Sequence, residues 1–251
     1  MPAKESHGLI PHFVVVLYPR LKTNKLLSTT DIQHLMFFSR INPQKIKKKN
    51  TKTLSKLGII VPEHLPALDI PKFRSAHEVA ERCVVLAVLL QSHFGATNEF
   101  VSSYLKQNNL MRHLTEEETA LLGQEYNKWE DQTKIDLYWS IEAIWALTWC
   151  GGYHGNLTFN SEVEDSLASY LPSFVDNEPA QDFLNSFTLR SEKEIIEKLD
   201  AFYRAHWFCR HSQMNNKATN LVNMDIIIER RKSLEWVCYA EESWDEICLD
   251  T

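Results

Sequence analysis

The sequence predicts a mainly all-α fold: a single helical domain preceded by an N-terminal extension with a short strand and a short helix. Three observations predict it. Apolar residues recur at helical spacing through most of the chain beyond residue 72. Several of those segments open on Ser/Thr-x-x-Glu, the box in which hydroxyl and carboxylate each satisfy an orphan N–H at a helix start. Seven glycines in 251 residues are few, which argues against turn-rich all-β folds and against glycine-lined nucleotide loops. At roughly 150 residues per domain, the length predicts one large domain or one and a half. We divide it into a basic extension over 1–45, a short helix and proline-rich connector over 46–71, and a helical domain over 72–251.

In chain order, His12–Tyr18 is β-branched and bounded by Pro11 and Pro19, which reads as a short strand. Thr29 and Thr30 cap an amphipathic helix through Ile41 that ends before Asn42-Pro43. A basic helix from about Lys45 to Leu57 stops at Gly58, and three prolines between Val61 and Pro71 make an extended connector. Boxes then occur at Ser75…Glu78, Thr115…Glu118, Ser161…Glu164, Ser191…Glu194 and Ser243…Glu246, the last opening only a terminal turn. Gly95 closes the helix that follows Ser75, and Gly151-Gly152 closes one over Thr133–Cys150. Further helices are expected at Asn98–Gln107, Glu192–His211 and Met224–Tyr239, and Gly151–Asn160 is the clearest loop.

Composition excludes several classes. With 44% apolar and 24% charged residues the chain is neither disordered nor a disulfide scaffold. Its net charge of −6 does not suit a protein that coats nucleic acid. The charge is divided, however. Residues 1–60 carry eleven Lys/Arg against Glu5 and Asp31, a net of +9, so the remaining 16 Lys/Arg and 31 Asp/Glu give −15. We read this as a basic arm packing on its own acidic body rather than one reaching for nucleic acid or anionic lipid. The five cysteines form no Cys-x-x-Cys pair, and a reducing cytosol is the expected setting. No secretory signal is legible, and the apolar core Cys83–Leu90 falls well short of the ~20 residues a membrane span needs.

Six blocks carry a family resemblance. They are Gly58-Ile59…His64-Leu65-Pro66; Arg74-Ser75…Glu78-Val79-Ala80…Arg82; Trp139…Glu142-Ala143…Trp145…Trp149; Leu189-Arg190-Ser191…Asp200…Tyr203-Arg204…His206-Trp207; Glu229-Arg230…Leu234…Trp236; and Trp244-Asp245…Asp250-Thr251. In this order and spacing they resemble the bacterial domain of unknown function 4272 family from about residue 46 onward. Ser140 departs from a frequent arginine of that pattern, and Arg190-Ser191 from a common Arg-Pro. The resemblance implies a mainly helical fold and brings no activity with it.

Chemistry is sought in charged residues on apolar faces. At 100° per residue, with Asp136 at zero, Trp145, Trp149, Glu142 and Trp139 fall at roughly 180°, 220°, 240° and 300°, which sets Glu142 inside a tryptophan face. Arg230 lies between Val237 and Leu234 on its own helix, and Arg82 lies at an apolar edge near Leu86 and Leu89. Buried charges must pair. Either these form an ion-pair network that registers the helices, or Arg82 and Arg230 hold an anion while Glu142 serves as acid or base. Glu78 is already explained by its box. Asp200 and Arg204 read as an i,i+4 pair at a helix edge, worth only ~0.2–0.5 kcal/mol if exposed.

His206, Cys209 and His211 do not converge, since His211 points about 140° from His206. No metal is therefore expected, and His206 reads as a core histidine with its ring hydrogen-bonded. His154 reads as a solvated loop histidine. No phosphate loop, His-Glu-x-x-His or Gly-x-Ser-x-Gly motif is present, and no cofactor is implied. Two functions remain. The first is a non-enzymatic, adaptor- or immunity-like module that binds a basic protein partner through its acidic surface. The second is an enzyme acting on an anionic small molecule through the Glu/Arg cluster, with Arg82, Glu142, Arg230, Trp139, Trp145, Arg204 and His206 as candidate site residues.

Overall fold

A computed structural model describes residues 41–217 and 219–250, all within a compact unit that begins at Ile41. The strand expected at His12–Tyr18 and, apart from Ile41, the helix expected after Thr30 lie outside the described residues. Among the described residues there are eight α-helices and no sheet: α1 (Pro43–Lys56), α2 (Ala76–Leu90), α3 (Asn98–Gln107), α4 (Glu116–Leu122), α5 (Asp131–Cys150), α6 (Gln181–Ser186), α7 (Glu192–Met214) and α8 (Met224–Cys238). The mainly all-α class is thus the observed one.

Local chemistry sets the helix ends. Asn42 accepts from the Lys45 N–H at 3.0 Å, and Pro43 enters at the first helical position, where its missing N–H costs nothing. Ile46, Asn50 and Leu54 form the buried stripe of α1, at i, i+4 and i+8. Capping boxes open α2 at Ser75, α4 at Thr115 and α7 at Ser191. The expected box at Ser161 is not one. The Ser161 N–H donates instead to the Thr158 hydroxyl at 3.1 Å, and only a 3₁₀ turn follows at Asp165–Tyr170. Helix α2 ends at Leu90, earlier than Gly95, which closes a following turn at φ 96°. At the end of α5 a Cβ on Gly151 would lie 2.5 Å from the Phe187 ring, so the chain turns there under a packed aromatic.

The helices pack as a continuous row. α2 lies on α5, α5 on α8, α8 on α7, and α7 on α1, while α3 and α6 cover α2. Helix α2 is buried continuously from Val79 to Leu90, as expected of an element enclosed on several sides. The connector is tied into this row. The Lys72 N–H donates to Cys238 O at 2.9 Å and the Ala240 N–H returns to Lys72 O at 2.9 Å. Arg74 donates to the Trp236 and Glu242 carbonyls while its guanidinium stacks on the Trp236 ring at 4.1 Å. Ile46, Leu54, Ile59 and Leu65 share one core with the later helices.

That shared core gives the first prediction. Leu54 is 2% exposed, so Leu54→Ala should cost about 2–5 kcal/mol and lower the midpoint of one cooperative urea transition. A separate early transition, leaving the main one unmoved, would show that α1 is not part of the domain core.

Candidate functional site

A deeply buried charged contact joins Arg230 of α8 to Glu142 of α5. Arg230 is 0% and Glu142 2% exposed. Arg230 Nε donates to Glu142 Oε2 at 2.8 Å, and Nη2 approaches the same oxygen at 2.6 Å. The remaining guanidinium donors go to the Thr158 carbonyl at 2.8 Å and the Ser161 carbonyl at 2.8 Å. Glu142 also accepts from the Val163 N–H. Burial pushes the Glu142 carboxyl above its ordinary value, and Arg230 and the Val163 N–H oppose that shift. The pair thus clamps two helices to the segment 158–163, with its polar valences filled by protein.

Arg82 does not join this pair. It makes a bidentate contact with Glu118 of α4, at 2.9 and 2.6 Å, and its guanidinium lies 4.3 Å from the centroid of the Trp244 ring. Glu118 is also the carboxylate of the α4 capping box. The pocket expected to take an anion between Arg82 and Arg230 is therefore not formed, because a carboxylate from another helix already fills the Arg82 fork.

Arg204 corrects a second expectation. It and Asp200 are both 0% exposed, bonded at 2.9 and 2.7 Å, with Asn50 donating to Asp200 at 3.0 Å and Arg204 to the Pro66 carbonyl at 3.1 Å. Helix α1 and the connector cover what a lone helical wheel shows as an edge.

The tryptophans also divide. Trp145 is buried under His154, with ring centroids 3.5 Å apart and an interplanar angle of 17°. His154 itself is 9% exposed and bonded to the Trp145 carbonyl at 3.0 Å, so it is not a solvated loop residue. Trp139 is half-buried in a surface cleft with Tyr126 and Tyr138, whose lining includes neither Glu142 nor Arg230.

His206 is a buried histidine whose Nδ1 lies 2.8 Å from Arg231 Nη1. Arg231 bonds Glu235 at 3.1 Å and reaches the Leu249 and Asp250 carbonyls at 3.1 and 3.3 Å. That arginine was not singled out from the sequence, although its i,i+4 spacing to Glu235 was a usable signal. Glu229, on the same helix, has its carboxyl pushed up to about 6 by burial and by the nearby charges of Asp136 and Glu142, with Lys232 opposing. Among the described residues no three His, Cys, Asp or Glu side chains are grouped to hold a metal, and no helix is long and apolar enough to cross a membrane.

Concave surface lies elsewhere, in more than one place. A groove of about 410 Å³ runs between α2, α5 and the segment 163–175. Its walls include Leu90, Ile141, Ile144 and Leu167, and its lips are Phe94 and Val175, which are 62% and 96% exposed. Glu164 and Asp165 are the charged residues lining it. The Phe94 ring meets His93 edge-on at 5.3 Å, and His93 lines the neighbouring aromatic cleft with Tyr126, Tyr138 and Trp139. Sequence periodicity gave no sign of this groove, because one wall is an irregular segment with a 3₁₀ turn.

Comparison with known proteins adds the following. Residues 46–247 match the family model described as a domain of unknown function, DUF4272. No curated protein and no solved structure matches the chain.

The His206–Arg231 contact sets a pH dependence. Burial first, then the charges of Arg231 and Arg210, bring His206 down to about 4 from 6.5. As pH falls below 6.5 the unfolded chain takes up a proton that the folded chain refuses. Stability should therefore fall by roughly 3 kcal/mol by the time pH reaches about 4. Urea midpoints across that window should decline more steeply for the native chain than for His206→Gln. Parallel declines would remove His206 as the titrating group.

Proposed function

The chain belongs to the DUF4272 family, and from the chemistry of its own surface we propose that it is a non-enzymatic protein-interaction module. The family brings no activity, so function has to be argued from the site. The observation that carries the reading is the placement of polar and apolar groups. Arg82, Glu142, Arg204 and Arg230 are buried and each is paired with an opposite charge inside the domain, whereas the apolar groove between α2, α5 and residues 163–175 is open and has exposed hydrophobic lips. A catalytic pocket needs the reverse, with charged groups converging on a cavity.

Exposed contiguous apolar surface is costly to keep uncovered, and it commonly marks a surface that another protein covers. Here the partner is read as a basic amphipathic segment. Its apolar face would fill the groove between Phe94 and Val175, its Lys or Arg side chains would meet Glu164 and Asp165, and the aromatic cleft beside it suits further cations. The net charge of −15 over residues 61–251 favours the same sign of partner. A reducing cytosol is the setting we infer, supported by five free cysteines, four of them buried.

Calorimetric titration with two synthetic amphipathic helices, identical but for Lys or Glu on the polar face, tests this. The basic peptide should bind, lose affinity with added salt, and bind about tenfold or more weakly to the double variant Phe94→Ser/Val175→Ser. Equal affinity for both peptides, or no effect of the double variant, would overturn the reading.

A further inference from the structure

A second cavity, of about 380 Å³, lies between α1, α5 and α7 and shares no lining residue with the groove. Leu54, Leu57, Trp149 and Phe159 give it apolar and aromatic walls, and Lys198 is the one amine among the described residues that line it. Lys198 Nζ donates to the Leu157 carbonyl at 3.2 Å and lies 5.2 Å from the centroid of the Trp149 ring. No carboxylate among the described residues pairs with it, because both acids that line the cavity are engaged elsewhere. Glu197 is held by Lys49 at 2.6 Å, and Glu194 by the Ser191 hydroxyl at 2.6 Å with Arg190 at 3.7 Å.

A second cation lies against the same ring. The Arg190 guanidinium lies 4.8 Å from the same Trp149 ring, fixed by its bonds to the Trp149 and His154 carbonyls at 2.7 Å each. A half-buried amine with cationic neighbours and no counter-ion is poorly placed to hold a proton. Burial first, then the charges of Arg190 and Arg230, keep Lys198 below the ordinary lysine value. A desolvated lysine beside another cationic group is one of the recognised ways of activating an amine nucleophile.

We propose that Lys198 is a reactive amine, and that this cavity takes an uncharged aldehyde or ketone with an apolar or aromatic body and holds it as a Schiff base. The nitrogen lone pair adds to the carbonyl carbon and the carbonyl π pair moves to oxygen. Transfer of one amine proton to that oxygen gives the carbinolamine, and departure of the hydroxyl with the second amine proton as water leaves a C=N bond, with no change of oxidation state overall. The cations beside the cavity, Lys49 and Arg190, are already paired with its two lining carboxylates, and a neutral amine adds no charge, which is why the ligand is uncharged. This site goes beyond the interaction module and does not depend on it.

The test uses the full chain with benzaldehyde at about pH 7 and sodium cyanoborohydride, which traps the imine as a secondary amine by hydride addition. Peptide mass spectrometry then reads the labelling rate at each lysine. Lys198 should label several-fold faster than the exposed Lys48 and Lys72. Leu57→Trp, on a cavity wall at a residue 56% exposed, should abolish that advantage while leaving labelling of Lys72 and the circular dichroism unchanged. Labelling of Lys198 no faster than that of Lys72, or undiminished in Leu57→Trp, would overturn the proposal.

Discussion

Arg230 carries a permanent charge at a position with no exposure to water, and much of the domain is arranged around keeping that charge solvated by protein. Desolvating a guanidinium costs several kcal/mol even after relaxation. The offset comes from three directions at once: the Glu142 carboxylate on α5, and the Thr158 and Ser161 carbonyls on the irregular segment that follows. Glu142 in turn holds the Val163 N–H. Val163 lines the apolar groove, so the pair that joins α5 to α8 also fixes one wall of the proposed binding surface.

The same device recurs along the helix row. Arg82 with Glu118 holds α4 against α2. Arg204 with Asp200 holds Asn50 of α1 and the Pro66 carbonyl of the connector. Arg231 with Glu235 holds His206 of α7 and the carbonyls of Leu249 and Asp250. In each case one planar guanidinium with several donors joins a carboxylate to backbone oxygens on another segment, which a compact ammonium could not do. Buried pairs of this kind are weak sources of net stability. Here they set how helices and irregular segments meet.

Most of the helices were legible in the sequence because their signals are local; α6 (Gln181–Ser186), which has no side-chain cap, was not. Asn98–Gln107 has the expected bounds, and three of the boxes close as written, each hydroxyl finding its own N3 amide. The inward direction of Glu142, Arg82 and Arg230 was legible too, from apolar neighbours one helical turn away. What each of them meets was not. Glu118 was hidden as the partner of Arg82 because its box already accounted for it. Arg204 looked like an edge residue because a wheel omits the α1 helix and connector that cover it. His154 looked solvated because nothing local says that a loop folds back onto Trp145. Lys198 and the groove depend on segments far apart in the chain, beyond the reach of periodicity.

The central claim is that Arg230 and Glu142 act as one unit, and a double-mutant cycle in denaturant measures it most directly. Arg230→Met strands the Thr158 and Ser161 carbonyls in the single and the double variant alike, so that cost cancels and the coupling alone remains. Each single variant, Glu142→Leu or Arg230→Met, should lose about 3–5 kcal/mol by leaving a charge buried and unpaired. The double variant should lose less than the sum of the singles by about 2 kcal/mol or more. Losses that add to within about 0.5 kcal/mol would contradict the account, because two residues that do not feel each other cannot hold the α5–α8 contact and the groove wall together.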